Sequence, residues 1–258
     1  MSAISLALAL GVIGTANTGR LVKDLGSPGE LARAAALVAL AKMGPRAAPA
    51  LRPICDRCLD KSAKVSTAAF EALEKVRPEL YTPLREYLLG GTRQEQRANL
   101  EAIAKLGDRG RPAAGVLLRM LETHTAQAIN GTFYPVGIAG HLMRTLEEIG
   151  ARDGPTFAAV RRAASAKVPD TTLRHNAVIF LKRWAEEDAS KRKEVIAAVA
   201  SGLETASAEL ACASLQILGG FGADSLSVLP AVKRLKLAKD ATVRAAATDA
   251  AEKIEKKP

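Results

Sequence analysis

The pattern "CDRC", residues 55–58, is the first whose residue types and spacing could do chemistry. Two thiolates at this spacing can supply half of a tetrahedral zinc site or cycle as a redox pair. A zinc site needs a second pair. Cys212 is the only other cysteine, and no pair of histidines has finger spacing. A redox pair needs a strand–helix–strand setting, and no strand is evident. Cys55 falls in register with Leu25, Leu88 and Leu118. Cys55 and Cys58 are therefore expected to be core thiols, and the odd cysteine count argues against a disulfide framework.

The remaining reactive types are dispersed. His124, His141 and His175 are too far apart in the chain to predict a metal cluster, and they read as surface or boundary histidines. No glycine-rich phosphate loop follows a strand, and no nucleophile elbow, paired-carboxylate site or H-E-x-x-H motif occurs. The sequence assigns no catalytic, cofactor-binding or metal-binding residue.

Composition points to helices. Of 258 residues, 48% are hydrophobic but only 3% are aromatic, and alanine is abundant. Small apolar side chains suit close helix–helix contact better than a β-sandwich. The net charge of +10 permits a nucleic acid, an anionic lipid or an acidic protein as partner. The cations are interleaved with acids, so a plain solubilising surface is the simplest expectation. Apart from the opening stretch, no apolar run is long enough to span a bilayer.

The elements that would position any site repeat along the chain. "LVALAKMG", "FEALEKVR", "LEAIAKLG", "MRTLEEIG" and "LQILGGFG" are versions of one segment. Anchored on Gly14, Gly44, Arg77, Gly107, Gly150, Ala185, Gly222 and Glu255, the copies are spaced 30, 33, 30, 43, 35, 37 and 33 residues apart. Four residues before the anchors stand Leu10, Leu40, Leu73, Ile103, Leu146, Leu181, Leu218 and Ala251. One residue before them stand Ile13, Met43, Val76, Leu106, Ile149, Trp184, Phe221 and Ile254. Two apolar columns three residues apart share one helix face. Glycine at most anchors predicts a helix end needing positive φ. A second helix follows most anchors and tends to open with proline, as at Pro45, Pro49, Pro78, Pro83, Pro112 and Pro155. Such a hairpin cannot bury its apolar face alone, whereas a stack of hairpins can.

Asp170 with Arg174 and Asp240 with Arg244 stand four apart at the start of first helices, and Arg33 holds the same register. This pattern resembles the short HEAT repeats of phycobilisome-lyase-like proteins, in which an Asp–Arg helix is followed by a proline-bearing one. The resemblance covers almost the whole chain. It implies an all-α, right-handed superhelical α-solenoid, one domain over residues 1–258 with about seven hairpins. Several repeats lack the Asp and Arg, so a ladder of such pairs would be incomplete. The resemblance implies a non-enzymatic scaffold or adaptor that binds a protein partner. A nucleic-acid-binding HEAT module is the alternative, with bilin-lyase-like chemistry a further one to which no residue here can be mapped. HEAT-like alkylpurine DNA glycosylases use tryptophans and an aspartate, and Trp184 and Asp188 stand four apart here. Trp184, however, occupies a core column, and no second tryptophan exists.

Two features are candidates for partner binding. Two residues before the anchors, Lys42, Lys75, Lys105, Glu148, Arg183 and Lys253 form a mostly basic column. Cations near a helix C-terminus favour the macrodipole by ~0.3–1 kcal/mol, a local reason for the pattern. Glu71 with Lys75 and Glu101 with Lys105 have the spacing of helix ion pairs. The column is also a candidate ridge for an acidic protein. The longest gap contains an insertion over residues 124–141, with Phe133 and Tyr134 as candidate partner contacts. Finally, residues 1–17 read as an incomplete first helix in a cytoplasmic protein. The alternative is a cleavable signal peptide over residues 1–16 and a secreted or periplasmic location, although no Lys or Arg precedes Arg20.

Overall fold

The computed structural model describes residues 17–131, 137–205 and 207–256, and among these the chain forms helices and connections with no strand. The apolar segment before Asn17 lies outside the described residues. Helix α1 covers residues 17–25. It is followed by α2 (Glu30–Met43), α3 (Leu51–Arg57), α4 (Ala63–Val76), α5 (Pro78–Leu89), α6 (Arg93–Ala104) and α7 (Ala114–Ile129). Then come α8 (Ile138–Glu148), α9 (Gly154–Ala163), α10 (Thr171–Glu187), α11 (Arg192–Ala200), α12 (Ala208–Gly220), α13 (Leu229–Arg234) and α14 (Ala241–Glu255).

The first helices start where short polar side chains accept from exposed backbone N–H groups. Ser62, Asp170, Ser207 and Asp240 cap α4, α10, α12 and α14, and Thr92 with Glu95 forms a capping box on α6. The helices stop at the glycine anchors, where Gly44, Gly107, Gly150 and Gly222 have φ between 54° and 68°. The second helices differ from a simple hairpin. After Gly44, Gly107 and Gly222 the chain runs as a 3-10 helix over Gly44–Ala50, Gly107–Ala113 and Gly222–Val228 before an α-helix begins. Pro49 and Pro112 lie inside two of these stretches, where a missing N–H and a bulky ring disfavour α-helical bonding.

Contacts divide the chain into two compact units. One is built on residues up to Arg119 together with Glu148–Ala151, the other on Met120–Glu147 together with the residues from Arg152 onward. In the first unit α2 packs along α4, α3 packs on α4, and α5 packs on both α4 and α6. In the second, α10 packs on α9, α11 and α12, and α14 packs on α12 and α13. Neighbouring first helices thus lie side by side at α2 and α4, at α10 and α12, and at α12 and α14, as stacked repeats require.

The column four residues before the anchors is the core of this stacking. Leu40, Leu73, Ile103, Leu146, Leu181, Leu218 and Ala251 are all 0% exposed. Burial of each large member stabilises by about 1.5–3 kcal/mol. The second column is less uniform: Val76, Ile149, Trp184 and Ile254 are buried, but Met43, Leu106 and Phe221 are half-buried. The insertion is shorter than residues 124–141. Helix α7 continues to Ile129 and α8 resumes at Ile138. The polar-looking "ETHTAQAI" hides a helical face, since Leu121, His124, Thr125 and Ala128 are buried and the Thr125 hydroxyl donates to the Leu121 carbonyl at 2.9 Å.

Candidate functional site

Lys42 and Lys75 lie in the last turns of α2 and α4, and Lys105 is the residue just past α6. All three are exposed. The ends of α2 and α4 adjoin: a Cβ built on Gly44 would sit 3.8 Å from the Lys75 carbonyl oxygen. Lys42 and Lys75 therefore stand on neighbouring helix ends. Lys105 occupies the same place on its own helix, but α6 packs chiefly on α5, so it does not stack directly on the other two. None of these lysines makes an ion pair among the described residues. Glu101 pairs with Arg97 at 2.8 Å rather than with Lys105. Glu71, expected beside Lys75, makes no ion pair among the described residues either.

In the second unit the same register is neutralised. Arg183 donates to Glu147 at 2.7 Å, and that hydrogen bond, with the neighbouring negative charge, raises the Arg183 pKa. Lys253 pairs with Asp249 at 2.7 Å. Phe133 and Tyr134 lie outside the described residues.

Cys55 and Cys58 are buried on and just past α3, with Cys58 Sγ 3.8 Å from the Ile54 carbonyl. Burial pushes the Cys55 thiol well up and the Cys58 thiol up to about 12. The thiolate that zinc binding or redox exchange uses is thereby disfavoured. His124 is buried on α7, with burial lowering its pKa; His141 and His175 are half-buried on α8 and α10. Among the described residues no group of three or more His, Cys, Asp and Glu side chains is placed to hold a metal. Trp184 packs edge-on against Phe157 and Phe180, with centroids 5.1 and 5.7 Å away. Asp188 ends the same helix and accepts from the Ser190 backbone N–H and hydroxyl at 3.0 and 2.6 Å. These contacts give Trp184 a packing role and Asp188 a capping role.

A concavity in the second unit lies between α9 and α11, with a volume of about 700 Å³. Ala158, Ala197 and Ala198 line it, and Arg161, Arg162, Lys167 and Lys193 surround it against the single carboxylate of Glu194. The sequence held a signal for it in the short basic runs "VRR" and "KRK", but each run is brief and interleaved with other residues. Nothing in their spacing says that they face one another.

Stacked helical hairpins in both units define an α-solenoid. No family model matches the chain, and no curated protein matches it. Among solved structures it is similar to an engineered protein at TM-score 0.42 and 15% identity, covering 94% of this chain and 69% of that one. It is similar also to a designed armadillo repeat protein at TM-score 0.38 and 17% identity, covering 91% and 98% of the two chains. A further engineered protein matches at TM-score 0.25 and 18% identity, covering 92% and 96%. Among the described residues no helix is long and apolar enough to cross a membrane.

Proposed function

We propose that the protein is a non-enzymatic HEAT-like scaffold that holds an acidic protein partner on the ends of its first helices, with Lys42, Lys75 and Lys105 as contacting cations. One observation carries this reading. The three lysines recur at one register, exposed and without a carboxylate partner among the described residues, whereas Arg183 and Lys253 at that register are matched by Glu147 and Asp249. The helix dipole accounts for a cation at each end. It does not account for the difference between the two units. Uncompensated charge on a surface steers and selects an oppositely charged partner.

The test is capture of partners from the native host by the wild type and by the K42Q/K75Q/K105Q variant, with cross-linking and mass spectrometry to locate contacts. Loss of a specific partner, with cross-links at these helix ends, supports the reading. Equal capture by the variant overturns it. Retention on heparin and on DNA separates the nucleic-acid alternative, because polyanion binding falls steeply as salt rises.

A further inference from the structure

We infer that the cleft between α9 and α11 is a docking groove for a short acidic segment of a protein. The segment's carboxylates would meet Arg162, Lys167 and Lys193, and its apolar side chains would rest on Ala158 and Ala197. This site is separate from Lys42, Lys75 and Lys105 and stands or falls without them.

The groove exists because α9 and α11 each pack on α10 rather than closely on one another. The facing side chains are alanines, too short to fill the gap. Two contacts bridge the walls, an exposed ion pair and a part-buried hydrogen bond that ties the helix ends. Arg161 donates to Glu194 across the groove at 2.8 Å, and the Ser201 hydroxyl donates to the Ala164 carbonyl at 2.8 Å. A groove held open in advance spares a ligand the cost of ordering it.

Charge selects the ligand. Glu194, the one carboxylate, is engaged by Arg161 at 2.8 Å and Lys191 at 3.9 Å. Lys167 and Lys193 are exposed and make no ion pair among the described residues. Arg162 pairs with Glu122 at 3.1 Å, but both side chains are open to solvent, at 59% and 42% exposure. Such a surface pair is worth about 0–1 kcal/mol and is readily exchanged for an incoming carboxylate. Arginine suits that role because its planar fork matches a carboxylate.

The remaining features favour a peptide over other anions. A volume of about 700 Å³ exceeds what one phosphate fills, and the cations stand around the groove rather than buried at one point. No aromatic side chain lines the groove to stack on bases, as single-strand binders use. Phe157, the nearest aromatic on α9, is turned into the core and is 4% exposed. The alanine surface suits the methyl and methylene groups of a peptide.

The experiment is a fluorescence-anisotropy titration of the full chain, at low salt, with a labelled peptide in which two leucines are flanked on each side by glutamates. Saturable binding is expected. The R162Q/K167Q/K193Q variant should weaken it about tenfold, three exposed charges contributing together. Ala197→Phe, at an exposed position, should block the groove while leaving every charge in place. The K42Q/K75Q/K105Q variant should bind within about twofold of the wild type, because these lysines do not line the groove. Circular dichroism checks that each variant keeps its helical signal. Absence of saturable binding, or equal binding by Ala197→Phe, overturns the inference. So does tighter, groove-dependent binding of a thymidine oligonucleotide. Loss of peptide binding in the lysine variant alone overturns it too, while leaving the scaffold reading intact.

Discussion

Arg33 holds Asp60 by two parallel hydrogen bonds, Nε to Oδ2 at 3.0 Å and Nη2 to Oδ1 at 2.9 Å, with the two side chains 6% and 3% exposed. The remaining capacity of both groups is used locally. Arg33 Nη1 donates to the carbonyls of Ser27 and Pro28 at 3.0 and 2.9 Å. The Asp60 carboxylate also accepts from Arg57 at 3.1 Å and from the Ser62 backbone N–H at 3.0 Å. The pair ties the loop before α2 to the turn before α4, and so fixes one repeat on the next.

Asp60→Asn should destabilise the protein by about 3 kcal/mol at neutral pH, because Arg33 is left buried without a counter-charge. Burial alone would raise the Asp60 pKa; the hydrogen bonds from Arg33, Ser62 and Arg57 outweigh it and hold the carboxyl down at about 2. A carboxyl depressed on folding contributes stability that is present above its unfolded pKa and lost as pH falls through the folded one. The wild type should therefore lose about 1–2 kcal/mol from this group between about pH 4 and pH 2, the solvent around the turn screening part of the full value. Denaturant midpoints of both proteins across that range check it. A wild-type advantage that stays constant down to pH 2 contradicts the assignment.

Gly44 adopts φ 56° and ψ −139°, a region essentially reserved for glycine. A Cβ there would meet nothing closer than 3.8 Å, so the cost of Gly44→Ala is conformational rather than steric. It should destabilise by about 1–3 kcal/mol. Gly154, in the first turn of α9, has no positive φ and nothing within 4 Å of a built Cβ. Gly154→Ala should be neutral or stabilising by up to about 1 kcal/mol. Thermal melts of the two variants should move in opposite directions or, at the least, differ by several degrees.

The thiols make a third test. Burial raises the pKa of all three thiols, but Cys55 and Cys58 are buried whereas Cys212 on α12 is half-buried and open to reagent. Reaction with an aromatic disulfide reagent at pH 8 should proceed at one thiol in the native state and at all three in denaturant. Cys212→Ser should abolish the native reaction. Native modification of Cys58 in that variant shows that the α3 region opens more readily than its burial implies.

The repeat core was legible because its signal is periodic. Leu40, Leu73 and their counterparts stand at a constant offset from the anchors, and one helix face forces them inward. Several other features lay beyond that signal. The 3-10 stretches after Gly44 and Gly107 reflect local competition between proline and α-helical bonding, which proline's tolerance in a first turn concealed. The end of α7 was hidden because His124 and Thr125 are polar residues on a buried face. The groove was least visible of all, since it depends on the distance between α9 and α11. Cations on two separate helices carry no record of that distance. The Asp–Arg spacing marked the buried Arg33 and Arg174 but not the carboxylate that meets Arg33: Asp170 and Asp240 cap their own helices, and the buried carboxylate for Arg33 comes from the turn before the following first helix.

That last relationship yields a constructive prediction. Arg174 stands at the register of Arg33 and is 4% exposed. Its Nη2 donates to the Ser201 carbonyl at 2.5 Å, but its Nε has no hydrogen-bond partner, and burial lowers its pKa. The missing partner has an identifiable place. Asp60 lies two residues before the cap Ser62, accepting from the Ser62 N–H at 3.0 Å; Thr205 lies two residues before the cap Ser207, accepting from the Ser207 N–H at 3.2 Å. Thr205→Asp should keep that turn and add a carboxylate beside the buried guanidinium. It should stabilise the protein by about 1–3 kcal/mol, the range in which an unsatisfied buried polar group is destabilising. Arg174→Met should cost less than Arg33→Met, because only the latter strands a buried carboxylate. The decisive measurement is the double-mutant cycle. In an Arg174→Met background the gain from Thr205→Asp should vanish; a gain that survives there comes from the turn itself and not from the pair.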